Sequence, residues 1–171
     1  MIYDNSKVRR QDRLLDDAEA LELLRDGEYG VMSMTDGEGR AYGVPLNYVW
    51  DGKDCIYIHC APSGRKLSCI DRNKEVSFCV VGHTGVVPEK FTTNYESIIL
   101  ECNADTGLNE EERMDALRMF LEKYSPHCLS TGLKYAEKSF HRTQIIRLGI
   151  KTFSGKRKKV SNFADNNTKR Q

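Results

Sequence analysis

The sequence predicts a mainly β domain, an antiparallel barrel with helices at its periphery, and three observations carry that reading. Short segments of alternating apolar and polar residues follow one another through the first half of the chain. The turn-forming pairs Asp36-Gly37 and Asp51-Gly52 separate them. The strand–helix–strand alternation of a doubly wound parallel sheet is missing there. A chain of 171 residues with 39% hydrophobic residues is enough for a single core. One domain is expected over residues 1–155, followed by a basic and polar C-terminal tail over residues 156–171 that opens on Lys156, Arg157, Lys158 and Lys159.

The elements follow in order. Asp16 with Glu19 three residues later forms a capping-box signature, Leu21 and Leu24 share a helical face, and Gly27 stops the helix expected over residues 17–26. Residues 29–35 and 42–50 read as a hairpin about Asp36-Gly-Glu-Gly39. In the second strand Tyr42, Val44, Leu46, Tyr48 and Trp50 share one face, whereas Gly43, Pro45, Asn47 and Val49 share the other. Proline cannot donate to a ladder, so Pro45 belongs to an edge, a bulge or a ligand-facing break. Residues 55–60 complete a three-stranded meander, Val76, Phe78 and Val80 mark a fourth strand, and residues 93–102 a fifth. Residues 109–124 read as an amphipathic helix with Met114, Leu117 and Leu121 inward, and residues 143–153 as the last strand. About six strands result, and no element is assigned between the second long helix and the last strand.

Charge and composition exclude several function classes. Twenty-six basic residues against 25 acidic ones give no global field to recruit nucleic acid or an anionic membrane. No apolar run approaches the roughly 20 residues of a membrane helix, and the N-terminal segment is polar from Tyr3 onward, so a cytoplasmic protein is expected. The six cysteines contain no C-x-x-C pair and are expected reduced and mostly buried. The four histidines lack metal-ligand spacing, so no metal is expected.

Chemistry concentrates at His59-Cys-Ala-Pro-Ser-Gly-Arg-Lys66, where the third strand runs into a helix beginning near Ser63. The helix at Asn109 carries Glu110, Glu111 and Glu112 at its partially positive end, as the dipole favours. The helix at Ser63 carries Arg65 and Lys66 instead. Exposed backbone N–H groups beside a guanidinium fork and an ammonium make a phosphate site, and Gly64 lets the backbone approach closely. The alternative for the same residues is two solvated side chains on a surface helix. His59 shares a face with Tyr57 and is either a catalytic group or a hydrogen-bonded strand-end histidine. Cys60 alternates with Ile56 and Ile58 on the core face, and the aromatic stripe of Tyr42, Tyr48 and Trp50 reads as barrel core.

The runs Gly43-Val-Pro-Leu-Asn-Tyr48, Ile56-Tyr-Ile-His-Cys-Ala61, Gly64-Arg-Lys66 and Val76-Ser-Phe78 together resemble the flavin-binding core of the pyridoxamine 5'-phosphate oxidase-like split barrels, nitroimidazole-resistance branch. The resemblance implies a six-stranded antiparallel split β-barrel that binds FMN between the two protomers of a homodimer. It implies Arg65 and Lys66 on the phosphate, with Gly64 at the loop, and Val44, Pro45, Leu46, Asn47, Tyr48, His59, Cys60 and Ala61 along the flavin. Asn94 and Ser97 would complete the pocket, His59 would be the catalytic candidate, and the substrate would be a small molecule such as a nitroaromatic compound. The Arg-x-His substrate segment of the true oxidase has no counterpart near the C-terminus. A flavin-binding module without turnover, or a haem-binding barrel with His59 as axial ligand, are the other functions such a barrel would serve.

Overall fold

The computed structural model describes residues 1–160. Eight strands form one sheet: β1 (Ile2–Tyr3), β2 (Tyr29–Thr35), β3 (Ala41–Asn47), β4 (Val49–Trp50), β5 (Cys55–Cys60), β6 (Glu75–Val87), β7 (Thr92–Asp105) and β8 (Gln144–Lys158). Four α-helices accompany them: α1 (Asp17–Asp26), α2 (Arg65–Arg72), α3 (Glu110–Tyr124) and α4 (Leu129–Ser139). Strand neighbours run β3-β2-β6-β7-β8-β5-β4, all antiparallel, while β1 adds to β8 in parallel.

Helix α1 and strands β2 and β5 have the boundaries that capping and periodicity predict. The Asp16 carboxylate accepts from the Glu19 N–H at 2.8 Å, and the Glu19 carboxylate accepts from the Asp16 N–H at 3.3 Å. Pro45 lies on β3 at one end of the sheet path, where a missing N–H costs no ladder bond.

The expected meander does not form as a continuous sheet. Strand β3 pairs with β2, the two-residue β4 pairs with β5, and the two ends of the path are joined by Tyr48 alone. Alternation fails at this point because Tyr48 and Val49 are consecutive and both buried. Strand β3 lies against β5 without a ladder between them, so the sheet closes into a barrel that is split along this line.

A short polar network holds the split. The Tyr48 hydroxyl donates to the Leu24 carbonyl at 2.5 Å. The Tyr124 hydroxyl lies 2.7 Å from the carbonyl oxygens of both Glu28 and Tyr48, and the Tyr48 N–H donates to it at 3.2 Å. Lys123 donates to the Gly27 carbonyl at 2.7 Å and to the Tyr48 carbonyl at 3.3 Å, with its ammonium 4.1 Å from the centre of the Tyr48 ring. Burial, opposed by Asp26, brings the Lys123 pKa down to about 8. Gly27 leaves room for this packing, since a Cβ there would stand 2.7 Å from the Tyr48 hydroxyl.

The core inside the barrel is built from residues such as Met32, Ile56, Ile58, Phe78, Leu100 and Leu148, all fully buried. Each contributes about 1.5–3 kcal/mol by leaving water. On α3 the buried ridge is Ala116 and Phe120, one residue short of the expected Leu117 and Leu121. Those two leucines instead line the space between α3 and α4, where Gly132 lets the helices approach closely. The last strand runs to Lys158, so Lys156, Arg157 and Lys158 belong to the sheet rather than to a tail. Pairing with β7 holds them there, and Arg157 also pairs with Glu19 at 2.5 Å. The remainder of the expected tail, from residue 161, lies outside the described residues.

Replacing Tyr124 with Phe removes the hydroxyl that bridges the split and leaves the Tyr48 N–H without its acceptor, while the Glu28 and Tyr48 carbonyls keep only Asn47 and Lys123 as side-chain donors among the described residues. Thermal or urea unfolding of Tyr124→Phe is expected to show a loss of about 1–3 kcal/mol. An unchanged midpoint would show that the network does not hold the closure.

Candidate functional site

Helix α2 starts without a side-chain cap and without an acid in its first turn. Its N-cap, Gly64, has φ +144°, a conformation that strains any side-chain-bearing residue, and the space around its Cα is open. The contrast with α3 is sharp, because the Asn109 side chain accepts from the Glu112 N–H at 2.8 Å there and three glutamates follow. The α2 end therefore keeps unpaired N–H groups and carries Arg65 and Lys66 beside them. It has the donors and charge to hold a phosphate monoester.

The two cations are held differently. Arg65 reaches back to the β2–β3 turn, pairing with Asp36 at 3.3 Å, and its guanidinium lies 4.2 Å from the centre of the Tyr42 ring. Asp36 is committed to that turn: the N–H groups of Arg40 and Glu38 and the Arg40 guanidinium bring its pKa down to about 2, against the opposing effect of burial. The Arg65 side chain is thereby pre-oriented while most of its N–H groups stay open. Lys66 has no hydrogen bond or ion pair among the described residues, and its charge reaches His59 and Cys60.

Strand β5 delivers His59 to the same end of the barrel. Ile56 and Ile58 point into the core, and Tyr57 and His59 point out. The Tyr57 hydroxyl donates to Glu112 at 3.1 Å, which ties β5 to α3. The His59 imidazole is open on one side and lies edge-on to Phe120 at 4.7 Å on the other. Burial, and then the Lys66 charge, lowers its pKa, which keeps the ring neutral near pH 7. Burial raises the thiol of Cys60, which is partly packed against the core. His59 and Asn47 form the mouth of a cavity of about 360 Å³ between the barrel and the α3–α4 hairpin, floored by Leu117, Phe120, Leu121 and Ala136.

The sequence profile of the family described as Pyridoxamine 5'-phosphate oxidase matches residues 16–157. The chain belongs to the pyridoxamine 5'-phosphate oxidase-like family. Solved structures share this family's split-barrel fold. A candidate 5-nitroimidazole antibiotic resistance protein from Bacteroides thetaiotaomicron superposes with a TM-score of 0.72 at 20% identity, over 84% of this chain and 85% of that one. The FAD binding protein from Mycobacterium smegmatis gives 0.62 at 19% identity, over 86% and 99% of the two chains. The haem storage protein from Vibrio cholerae gives 0.60 at 13% identity, over 81% and 91%. At such identities the likeness is one of fold. No curated protein is significantly similar in sequence.

On this split barrel the expected site residues separate into groups. Asn47 and His59 share one cavity, Lys66 stands near His59 and Cys60, and Ala61 and Gly64 connect them along the chain. Pro45 and Asn47 face outward from β3, whereas Val44 and Leu46 pack against the core. Tyr48 is fully buried, with its side chain, N–H and carbonyl all engaged in the split network. Asn94 is elsewhere within the protomer: its side chain accepts from the Val160 N–H at 2.8 Å and lines a cavity with His83 and Lys158. Ser97 sits on the outer sheet face opposite Val81 and Lys156. Sequence reasoning missed Phe120 and Tyr124 because it turned the Met114, Leu117 and Leu121 face of α3 inward, and it missed Ala136 because it assigned no α4. The spacing of Leu129, Leu133, Ala136 and Phe140 was the available signal.

The electrostatic link between α2 and β5 is open to measurement. Lys66→Gln is expected to raise the His59 pKa toward its ordinary value of 6.5, followed by the imidazole proton shifts in an NMR titration. An unmoved titration curve would separate the two residues.

Proposed function

We propose that this chain is an FMN-binding flavoprotein that works as a flavin-dependent oxidoreductase. The observation that carries the reading is the start of α2, where an uncapped helix end, a glycine at φ +144° and two cations stand beside the strand that carries His59. Arg65, Lys66 and the α2 N–H groups would hold the single terminal phosphate of FMN. Pro45, Asn47 and the β5 end from His59 to Ala61 would flank the ring system, and His59, with no hydrogen bond among the described residues, would be free to meet a substrate. When bound, a flavin supplies the electron transfer and the protein supplies orientation. A nitroaromatic acceptor is the substrate we favour, from the nitroimidazole-resistance resemblance and the printed description of the Bacteroides structure. No helix among the described residues is long and apolar enough to cross a membrane, and we place the protein in the cytoplasm.

The outer face of the sheet supports a homodimer. Pro45, Val31, Cys79 and Ile99 lie in register across β3, β2, β6 and β7 and all point away from the core. Tyr29, Val81 and Ile99 on this face are 52%, 47% and 46% exposed. Such a patch is costly to leave in water, and a second copy covering it would bring Asn94 or Ser97 of one protomer toward the cleft of the other. Two protomers would need to bury roughly 1,600 Å² in total.

Haem is a second reading, favoured by the neutral, open imidazole of His59 and by the fold likeness to the Vibrio cholerae haem storage protein. The absorption spectrum of the purified protein separates the readings, as flavin bands or as a Soret band.

Two outcomes test the proposal. Arg65→Ala and Lys66→Ala should each weaken FMN binding about tenfold or more while leaving riboflavin binding nearly unchanged, because only FMN carries the phosphate. Equal losses for both flavins would remove the phosphate assignment. In sedimentation velocity the protein should run as a dimer, and Ile99→Lys should convert it to a monomer with weakened FMN binding. A wild-type monomer that holds FMN as tightly would sink the dimer-cleft arrangement.

A further inference from the structure

The cavity between the barrel and the α3–α4 hairpin differs in its charge from three others among the described residues. No Asp, Glu, Lys or Arg lines it, and His59 is its sole readily titratable group near neutral pH. The cavity beside Trp50 contains Arg25, Asp26, Glu28, Glu122 and Lys123. A third contains four carboxylates, among them Glu111 and Asp115, and a fourth contains Glu96 and three cations. The uncharged lining sets this chamber apart from those three.

Its polar atoms are also unevenly placed. Ser139 donates to the Tyr135 carbonyl at 2.8 Å and Thr143 donates to the Ser139 carbonyl at 3.0 Å, so these two wall hydroxyls are spent on backbone carbonyls, and those of Ser125 and Tyr135 remain for a ligand. The Asn47 amide donates to the Glu28 carbonyl at 2.9 Å. The His59 imidazole, at the mouth, makes no hydrogen bond among the described residues, while Phe120 and Ala136 at the floor are 7% and 6% exposed. A chamber of about 360 Å³ lies within the roughly 300–1,000 Å³ of small-molecule sites. An ionised group at its floor would lose its hydration and find no counter-charge in the lining.

We infer that this chamber is a binding site for an uncharged aromatic or alicyclic ring compound, whose ring lies against Phe120 and Ala136 and whose polar substituent meets the His59 imidazole. Its role as the substrate side of the cofactor cleft rests on the flavin reading above; the binding itself does not. The α3–α4 hairpin then acts as the specificity element, because it supplies the apolar floor that the barrel strands lack. Ligands that carry a carboxylate or an ammonium on the ring are excluded.

The test uses three redox-inert compounds of matched shape, 4-methylbenzyl alcohol, 4-methylbenzoate and 4-methylbenzylamine, titrated by calorimetry into the FMN-loaded protein. The alcohol should bind at least about tenfold more tightly than either ion. Ala136→Phe, which fills the floor, should weaken the alcohol by about tenfold or more and leave FMN affinity unchanged. Should Ala136→Phe not fold, Thr143→Lys at the half-buried wall carries the test, since the added cation should turn the preference toward 4-methylbenzoate. Equal binding of the three compounds, or an Ala136→Phe protein that binds the alcohol normally, overturns the inference. Loss of FMN from Ala136→Phe also overturns it, by making the chamber the seat of the flavin ring. If the wild-type protein takes up no FMN, the flavin reading fails, and titration of the alcohol into wild type and Ala136→Phe still decides the chamber.

Discussion

The molecule depends on the closure made at Tyr48. The two end strands of the sheet path are consecutive in the chain with this one residue between them, so Tyr48 must leave one edge and start the other. Its side chain goes inward, and its backbone cannot join a ladder on either side. The hydroxyl of Tyr124 and the ammonium of Lys123, adjacent on α3, supply the missing partners. Burying an unpaired peptide group costs roughly 1–3 kcal/mol, so the network is a requirement of this closure rather than an ornament. It also fixes where α3 sits, and through α3 the position of Phe120 against His59.

A second constraint is the sign of charge at the helix starts. Helices α1 and α3 satisfy their first N–H groups with Asp16 and Asn109 and carry acids in the first turn. Helix α2 does neither, and in isolation it is the less stable design. Its arrangement gains when an anion occupies the end, because the ligand then supplies the cap and the counter-charge together. Asp36 pairs with Arg65 at 3.3 Å from the neighbouring turn.

These two constraints place the candidate site at the split of the barrel. The strands there are released from pairing with each other, so outward side chains such as Asn47 and His59 meet helices rather than a neighbouring strand. A site of this kind is set by what covers it, and members of one fold can change ligand by changing the covering elements.

Local physics made much of the molecule legible in the sequence. The capping box of α1, the alternation of β2 and β5, the edge position of Pro45 and the inverted charge of the α2 start each depend on residues within a few positions of one another. The barrel class followed from the order of such segments, and the family resemblance from the combination of their motifs. Tertiary structure decided the rest. The break at Tyr48 is invisible to a period of two, because the residue breaks its pattern to satisfy partners on α3 more than 70 positions away, at |i−j| = 76 for Tyr124. The extension of β8 through Lys158 overrides a basic, tail-like composition because β7 is there to pair with it. The chamber beside His59 exists only once α4 packs on α3, and no local pattern specifies which apolar floor a histidine on a distant strand will face.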